Sequence, residues 1–361
     1  MKKILLFLII FFIIVVDRET ILAKQTEFYV KPTFTKQQIN KHENYYDLLL
    51  SPGQSQKLVF EIVNPTSTKV SVNIGKGTAI TTTGGSVNYS GSSKYVDSSI
   101  DSVIGNHMSV SKTSVTLDPN TKTQITISLK MPSKSIAGIL AGGVSFTEVG
   151  NPNNISQNAI NSRVAYTYAI LARQRLDLVQ ANLNFLKYNP NNKGQKNQLF
   201  SLKVQNDKPS FLNQLEIVVD VKNKKNANTV YNYKKKMMQM APNSNFLFSV
   251  PLNGKTIKPG RYIATETAYY SKDANGKYID SAGTKFKYKK TYTHQLYISP
   301  KKAKLINNTQ KKNRTKSMVN FWMWIISGIM LVLATIAMIL LFLLNRQHRQ
   351  LLFLKKDIDS K

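Results

Sequence analysis

Apolar and polar side chains alternate with period two through most of this chain, the pattern of strands that bury one face. Leu58, Phe60 and Ile62 are set against Val59, Glu61 and Val63. Val70, Val72 and Ile74 alternate with Ser71 and Asn73, and Ile125, Ile127 and Leu129 with Thr126, Ser128 and Lys130. Turn chemistry separates these runs at Ser51-Pro52-Gly53, Asn64-Pro65, Gly84-Gly85 and Asp118-Pro119-Asn120. Ile136–Phe146 carries Gly138 and the pair Gly142-Gly143, which permits a bulge or a close backbone approach inside a strand. A second unit repeats the pattern. Val164, Tyr166, Tyr168 and Ile170 share a face, as do Ile217, Val219 and Val221, and Phe246, Phe248 and Val250. Tyr262–Tyr270 reads as a long strand, Lys272–Lys277 as a hairpin turn, and His294, Leu296 and Ile298 as the last strand before Pro300. Strands at this spacing, with no helical pattern between them, predict an all-β fold of two tandem immunoglobulin-like β-sandwiches. The first spans 24–150 and the second 151–300, with the polar stretch Asn151–Asn158 a loop at the boundary or just inside the second unit. Asn189–Asn197 is too polar to be core.

Two runs break the alternation. Phe321–Leu344 is apolar and uncharged, and as a helix reaches roughly 36 Å, enough for a hydrocarbon core of ~30 Å. Trp322 and Trp324 stand at its start, where amphipathic rings favour the interface, and Lys316 and Arg346 close it. It predicts one C-terminal transmembrane helix. At the other end, Lys2 and Lys3, the apolar Ile4–Val16 and the site Ile21-Leu22-Ala23 read as a signal peptide over 1–23. Basic residues flank the anchor on both sides, so the signal peptide decides orientation. The expected protein is single-pass in the cell membrane, with its N-terminal region extracellular. Residues 301–320, with hardly any apolar side chains before Lys316, read as a solvated basic stalk that need not fold, and 345–361 as a cytoplasmic tail.

Charge adds a partner class. The net charge is +31, and it is unevenly placed. Lys24–Gly150 has 12 basic and 8 acidic residues, hence +4, whereas Asn151–Pro300 has 23 and 7, hence +16. Outside a cell this excess suits an anionic surface, such as teichoic acid or membrane headgroups, or a solubilising exterior; nucleic acid is not expected. The chain has no cysteine, so no disulfide framework supports the exported part. Catalytic signatures are poor. His42, His107, His294 and His348 are isolated and lack zinc-ligand spacing. Ser109-Val110-Ser111-Lys112 fits one penicillin-binding motif, but in a strand-like region and without its companions. Gly75-Lys76-Gly77 is neither a phosphate loop nor a dinucleotide fingerprint. The expectation is a non-enzyme without cofactor or metal. Binding is then the remaining chemistry, and tyrosine is its candidate. Tyr45, Tyr46, Tyr231, Tyr233, Tyr269, Tyr270, Tyr288 and Tyr292 are many for exported strands, where rings either stack on sugars and proteins or pack on the sandwich. Met237, Met238 and Met240 follow Lys234-Lys235-Lys236 and form either a flexible apolar contact surface or an edge strand guarded by lysines.

Four strings, in order, are more specific than their chemistry. They are Phe28-Tyr29-Val30-Lys31-Pro32; Tyr45-Tyr46-Asp47-Leu48 with Pro52-Gly53-Gln54; Met131-Pro132 with Gly138 and Gly142-Gly143; and Met240-Ala241-Pro242-Asn243-Ser244 with Pro259-Gly260-Arg261-Tyr262. In these the chain resembles the WxL-interacting proteins of Gram-positive bacteria, a likeness that covers essentially all of the expected mature chain. The resemblance implies a surface protein with its extracellular region in the cell wall, whose first domain contacts peptidoglycan and whose second contacts WxL-domain proteins or host extracellular-matrix proteins. Tyr45, Tyr46, Met240, Asn243, Tyr269 and Tyr270 are the candidate binding residues; Asn64, Pro65 and Met240–Ser244 are also turn-like, with folding as the alternative role.

Overall fold

The computed structural model describes residues 28–92, 96–149, 164–186 and 198–358. The signal-peptide region and the polar stretches 151–158 and 189–197 lie outside the described residues. The first unit comprises β1 (Tyr29–Thr33), β2 (Tyr46–Leu49), β3 (Ser55–Val63), β4 (Val70–Thr81), β5 (Val87–Gly91), β6 (Met108–Val110), β7 (Ser114–Leu117), β8 (Lys122–Lys130), β9 (Leu140–Glu148) and β10 (Ala165–Arg173). One sheet runs β1-β3-β8-β6; the other runs β2-β10-β9-β4-β5, with β7 also paired to β4. The alternation places Leu58, Phe60 and Ile62 of β3 and Ile125, Ile127 and Leu129 of β8 inward, all fully buried. Phe60 is the centre of this core, its ring 5.5 Å from Tyr46, 5.2 Å from Phe146 and 5.5 Å from Tyr168. Gly142 of β9 serves close approach rather than a bulge: a Cβ there would sit 2.3 Å from the Gly77 carbonyl of β4.

The expected boundary at 150/151 needs correction. Strand β10, read as the opening of the second unit, belongs to the first. It pairs antiparallel with β9 and parallel with β2, and Leu50 N–H extends the parallel pairing to Arg173 O. The tyrosine face of β10 closes the first core, Tyr166 and Tyr168 donating to Phe28 O and Val30 O.

The second sandwich comprises β11 (Leu183–Phe185), β12 (Gln198–Asn206), β13 (Leu212–Asn223), β14 (Thr229–Met240), β15 (Ser244–Pro251), β16 (Gly260–Lys272), β17 (Tyr278–Ile279) and β18 (Lys285–Ile298). The sheet β11-β12-β15 faces the wider sheet β14-β13-β16-β18-β17. Ile217, Val219 and Val221 of β13 and Phe246, Phe248 and Val250 of β15 supply its centre. β16 and β18 pair along most of their length, but the connection is longer than the expected turn Lys272–Lys277: it runs through 273–284 and includes β17, which pairs with β18 in a hairpin of its own.

The stalk expectation is the second correction. A helix, α1 (Pro300–Ile358), starts two residues after β18, and Ala303 and Ile306 are buried in the second core. Asn307 donates to Ile257 O at 2.9 Å and accepts from Ile257 N–H at 3.0 Å, and Gln310 accepts from Gly254 N–H at 2.8 Å. Phe321–Arg346 within α1 is long and apolar enough to cross a membrane, and is not buried against the rest of the chain.

The two sandwiches share one turn. Asn64, just after β3, donates from its side chain to Thr68 O, Leu117 O and Asp118 O and accepts from Thr66 N–H. Asn206, ending β12, likewise donates to Ser210 O and Ala241 O and accepts from Lys208 N–H. The facing turns are Asp118-Pro119-Asn120-Thr121 and Ala241-Pro242-Asn243-Ser244, each with its Asn in the left-handed region (φ 56° and 44°) that this residue tolerates. Asn120 N–H donates to Thr66 O and Asn243 N–H to Lys208 O. A buried asparagine thus stitches a strand end to the opposite loop in both domains. Asn64→Ala would strand the buried Leu117 carbonyl and remove the donor from the part-buried Thr68 and Asp118 carbonyls, and the expected loss is about 1–3 kcal/mol. Urea unfolding of the full chain in detergent, followed by circular dichroism, tests this; a loss below about 0.5 kcal/mol, the scatter of surface changes, contradicts it.

Candidate functional site

The richest polar constellation lies where the two sandwiches meet. Thr81, the last residue of β4, is buried against the second domain. Ala241 N–H donates to Thr81 Oγ1 at 3.0 Å, and Ser244 Oγ donates to Ala241 O at 2.7 Å. The Thr81 and Ser244 hydroxyls are 2.6 Å apart. The ring closes when Thr81 O–H donates to Ser244 Oγ, so each hydroxyl donates once and accepts once. Beside it, Asn243 donates to Ser99 O at 2.9 Å and to Asp207 O at 3.2 Å. The turn that only holds strands in the first domain is, in the second, also a joint between domains.

Asp97 is the charged member. It is buried and accepts from Ser99 N–H, from Gln205 Nε2 at 2.8 Å and from Asn245 Nδ2. Burial pushes its carboxyl up, but these hydrogen bonds from Ser99, Gln205 and Asn245 outweigh it and hold the group below its ordinary value. Backbone pairs flank the seam: Gln239 N–H donates to Gly85 O and Ile139 N–H to Pro209 O, both at 2.8 Å. Gly138 has φ 68°, and a Cβ on it would stand 2.2 Å from Pro209 O, so only glycine fits this approach. Ala79, Ala141, Leu171 and Ala241 form the apolar part, with Tyr45, Tyr89 and Phe211 packed around them.

The candidate residues therefore divide. Tyr46 is fully buried in the first core and Met240 in the second, so neither can meet a ligand directly. Tyr270 is buried too, stacked on Tyr288 at 5.1 Å, and its burial pushes the phenol above its ordinary value. Tyr45 and Asn243 belong to the seam. Tyr269 is half-buried on the outer face of β16, with Lys289 Nζ 5.6 Å from its ring centroid. The methionine run is not a contact surface: Met238 and Met240 are core, and Met237 alone is exposed, at 92%. Its lysine neighbours do more than guard an edge. Lys234 Nζ lies 2.5 Å from Glu216 and 2.9 Å from Asp280, both buried carboxylates. Burial pushes Asp280 up, but the Lys234 ammonium and the Thr284 and Ala282 amides prevail and hold it well below the carboxylate range.

A row of rings on β18 is the more accessible feature. Among the described residues the inward-parity positions Tyr288 and Tyr292 are half-buried and Lys290 is exposed, whereas the His294 side chain beside them is nearly covered. Phe185 stacks on Tyr292 at 6.0 Å, and Tyr292 on His294 at 5.5 Å. His294 Nε2 stands 3.2 Å from the buried Glu266 carboxylate. Such flat rings beside a cation suit stacking against a sugar or a protein side chain. Tyr288, Lys290 and Tyr292 share one parity on the strand, the signal that separates them from their neighbours. Among the described residues no group of three His, Asp or Glu could hold a metal.

A family model described as the peptidoglycan-binding domain of WxL-interacting proteins matches residues 28–148, and one described as their host-binding domain matches 156–308. The second match takes in β10, which pairs within the first sandwich, and ends just past Ile306, where α1 is docked. No curated protein matches the chain. Among solved structures, the Salmonella enterica SafA pilin complex with the SafB chaperone is 11% identical, covering 75% of this chain and 98% of that one at a TM-score of 0.29. The Pseudomonas aeruginosa CupB2 chaperone is 11% identical over 69% and 96%, at 0.28. A PapD-like domain of human CEP192 is 12% identical over 42% and 86%, at 0.26. Superpositions this loose say nothing about function.

Thr81→Val keeps the shape and removes the hydroxyl, leaving the buried Ala241 N–H without its acceptor. The expected cost is about 1–3 kcal/mol in urea unfolding, with faster protease cleavage between the domains; unchanged stability and cleavage contradict the ring. The Asp97 group binds a proton less readily folded than unfolded. Its contribution is therefore complete above the ordinary value of 3.8 and is lost as pH falls through the lower folded value. The stability gap between wild type and Asp97→Asn should be constant at neutral pH and shrink below pH ~4. A gap that widens on acidification contradicts this assignment.

Proposed function

We propose that this chain, which belongs to the WxL-interacting protein family, is a non-catalytic, membrane-anchored scaffold of the bacterial cell surface. Its first sandwich holds peptidoglycan and its second a WxL-domain protein, with α1 as the tether. The observation that carries the reading is the order of the two binding-domain matches along one chain, falling on two sandwiches that share a buried polar seam. The apolar part of α1 supports the tether, and its length accommodates a bilayer core. The row Phe185, Tyr288, Tyr292 with Lys290 is the surface on which we place the protein partner, since rigid aromatic rings and an adjoining cation are the groups that most often anchor interfaces.

Host-matrix adhesion is a second reading, favoured by the description of the second matched domain and by the basic excess of its sequence. Salt separates the two: attraction that fades as the Debye length falls from ~10 Å at 0.1 M to ~3 Å at 1 M is charge alone.

The detergent-solubilised full chain should co-sediment with purified peptidoglycan sacculi and, once bound, retain a secreted protein bearing Trp-x-Leu motifs. Tyr292→Ala should weaken the second capture about 10-fold or more while leaving sedimentation unchanged. Absence of sedimentation overturns the wall-binding role. Tight, salt-resistant binding to immobilised collagen or fibronectin without capture of the Trp-x-Leu protein favours the adhesin.

A further inference from the structure

The second sandwich is polarised in charge along its long axis. Its strand register puts 206–212 and 240–245 at the end that meets the first domain, and pairs Asn223 with Tyr262, Gly260 with Ile298 and Gln198 with Pro251 at the other. That far end, the base, carries loop 223–229, loop 252–259 and the start of α1. Lys224, Lys225, Lys255, Lys258 and Arg261 are all exposed there, joined by Lys301 and Lys304 on the first turns of the helix. Loops 223–229 and 252–259 contain no carboxylate, and among the described residues none of the five pairs with one. Lys224 instead reaches Gln295, and Lys255 leans over the Tyr231 ring at 5.3 Å. The acids lie elsewhere. Asp207 is beside the seam, Asp273 and Asp280 are in the opposite hairpin, and Glu216 is bound to Lys234 in the far half of β13. Asp220 is the acid nearest the base, three residues up β13 and 3.5 Å from Lys222.

The same base is fixed to α1. Asn307 and Gln310 hold loop 252–259 through three hydrogen bonds, and Ala303 and Ile306 are buried beneath it. From Gln310 to Phe321, where the apolar span begins, the helix runs eleven residues, about 16 Å. Headgroups occupy roughly 5–7 Å on each side of the hydrocarbon core. The base therefore stands no more than about 10 Å from the headgroup surface, close to one Debye length at physiological salt, and any tilt of the helix brings one side nearer.

We infer that the base of the second sandwich is an electrostatic foot, resting its lysines on the anionic phosphate headgroups of the membrane that α1 crosses. The inference builds on the anchoring reading above and adds to it a bound posture: the two-domain body leans onto an acidic bilayer and lifts from a neutral one. Lysine suits this contact because its ammonium acts as a mobile point charge with no demand for bidentate geometry. The foot leaves the aromatic row of β18 and the first domain free.

The chain has no cysteine, so a single label at Asn228→Cys in loop 223–229 reports the base alone. The full chain is reconstituted into nanodiscs of phosphatidylcholine, or of phosphatidylcholine with a third phosphatidylglycerol, each carrying a headgroup quencher. Quenching at least twofold greater in the anionic discs is expected, lost at 1 M salt and lost in a variant with Lys224, Lys225, Lys255 and Lys258 all changed to Gln. Equal quenching in the two lipids, in a chain shown to be integrated, overturns the foot and leaves the anchor standing. Failure of the chain to integrate into either disc overturns the anchor and the foot together. If soluble polyphosphate binds the chain in neutral discs and abolishes the difference in anionic ones at low charge ratio, the base belongs to a phosphate polymer, and the lipid assignment is overturned.

Discussion

A closed ring of hydrogen bonds among Thr81, Ala241 and Ser244 makes one body of two sandwiches. Domains joined by a linker move relative to one another by default, because their interfaces are small and polar. Here separation would expose the ring, the Asp97 carboxylate with its three donors and the Asn243 amide at once. Thr81, Asp97 and Asn243 each have at least one hydrogen-bond partner across the seam. Breaking one contact costs the desolvation of what it leaves behind, more than the bond itself is worth.

The seam is built from parts already needed for folding. The turn Ala241–Ser244 repeats the turn Asp118–Thr121, each held by a buried asparagine from the strand opposite. Only in the second domain does the turn's left-handed Asn reach outward, to Ser99 of its neighbour. At the other end of that domain, Asn307 and Gln310 repeat the logic on a helix, satisfying loop amides and a carbonyl that would otherwise face the first turns of α1. The first sandwich and α1 are thus each coupled to the second sandwich through polar contacts, at its two opposite ends.

Much of the fold was legible in the sequence, for a physical reason. Strands that bury one face must alternate, so Leu58, Phe60, Ile62 and their counterparts identify themselves, as does the uncharged run that begins at Phe321. The owner of a strand is not written in its own pattern. Strand β10 alternates like any other, and only its long-range pairing with β2 and β9 assigns it to the first domain. Ring type does not separate binding from packing, whereas parity does: Tyr46 falls in step with buried Leu48, and Tyr270 with Tyr262, Ala264 and Ala268. Tyr288 and Tyr292 are in step with Leu296 too, yet among the described residues they stay half-buried, a difference that depends on what lies across the sandwich and that no local pattern encodes. Ala303, Ile306 and Gln310 form a short helical stripe inside a lysine-rich stretch, and composition outweighed it.

The rigid coupling of the two domains is the central claim, and a distance distribution tests it most directly. In the cysteine-free chain, spin labels at Lys112→Cys of the first domain and Lys235→Cys of the second can be placed as a single pair. Pulsed dipolar spectroscopy on the detergent-solubilised protein should return one narrow distance that broadens when Thr81 is changed to Val. A broad or multimodal distribution in the otherwise wild-type chain would contradict the account.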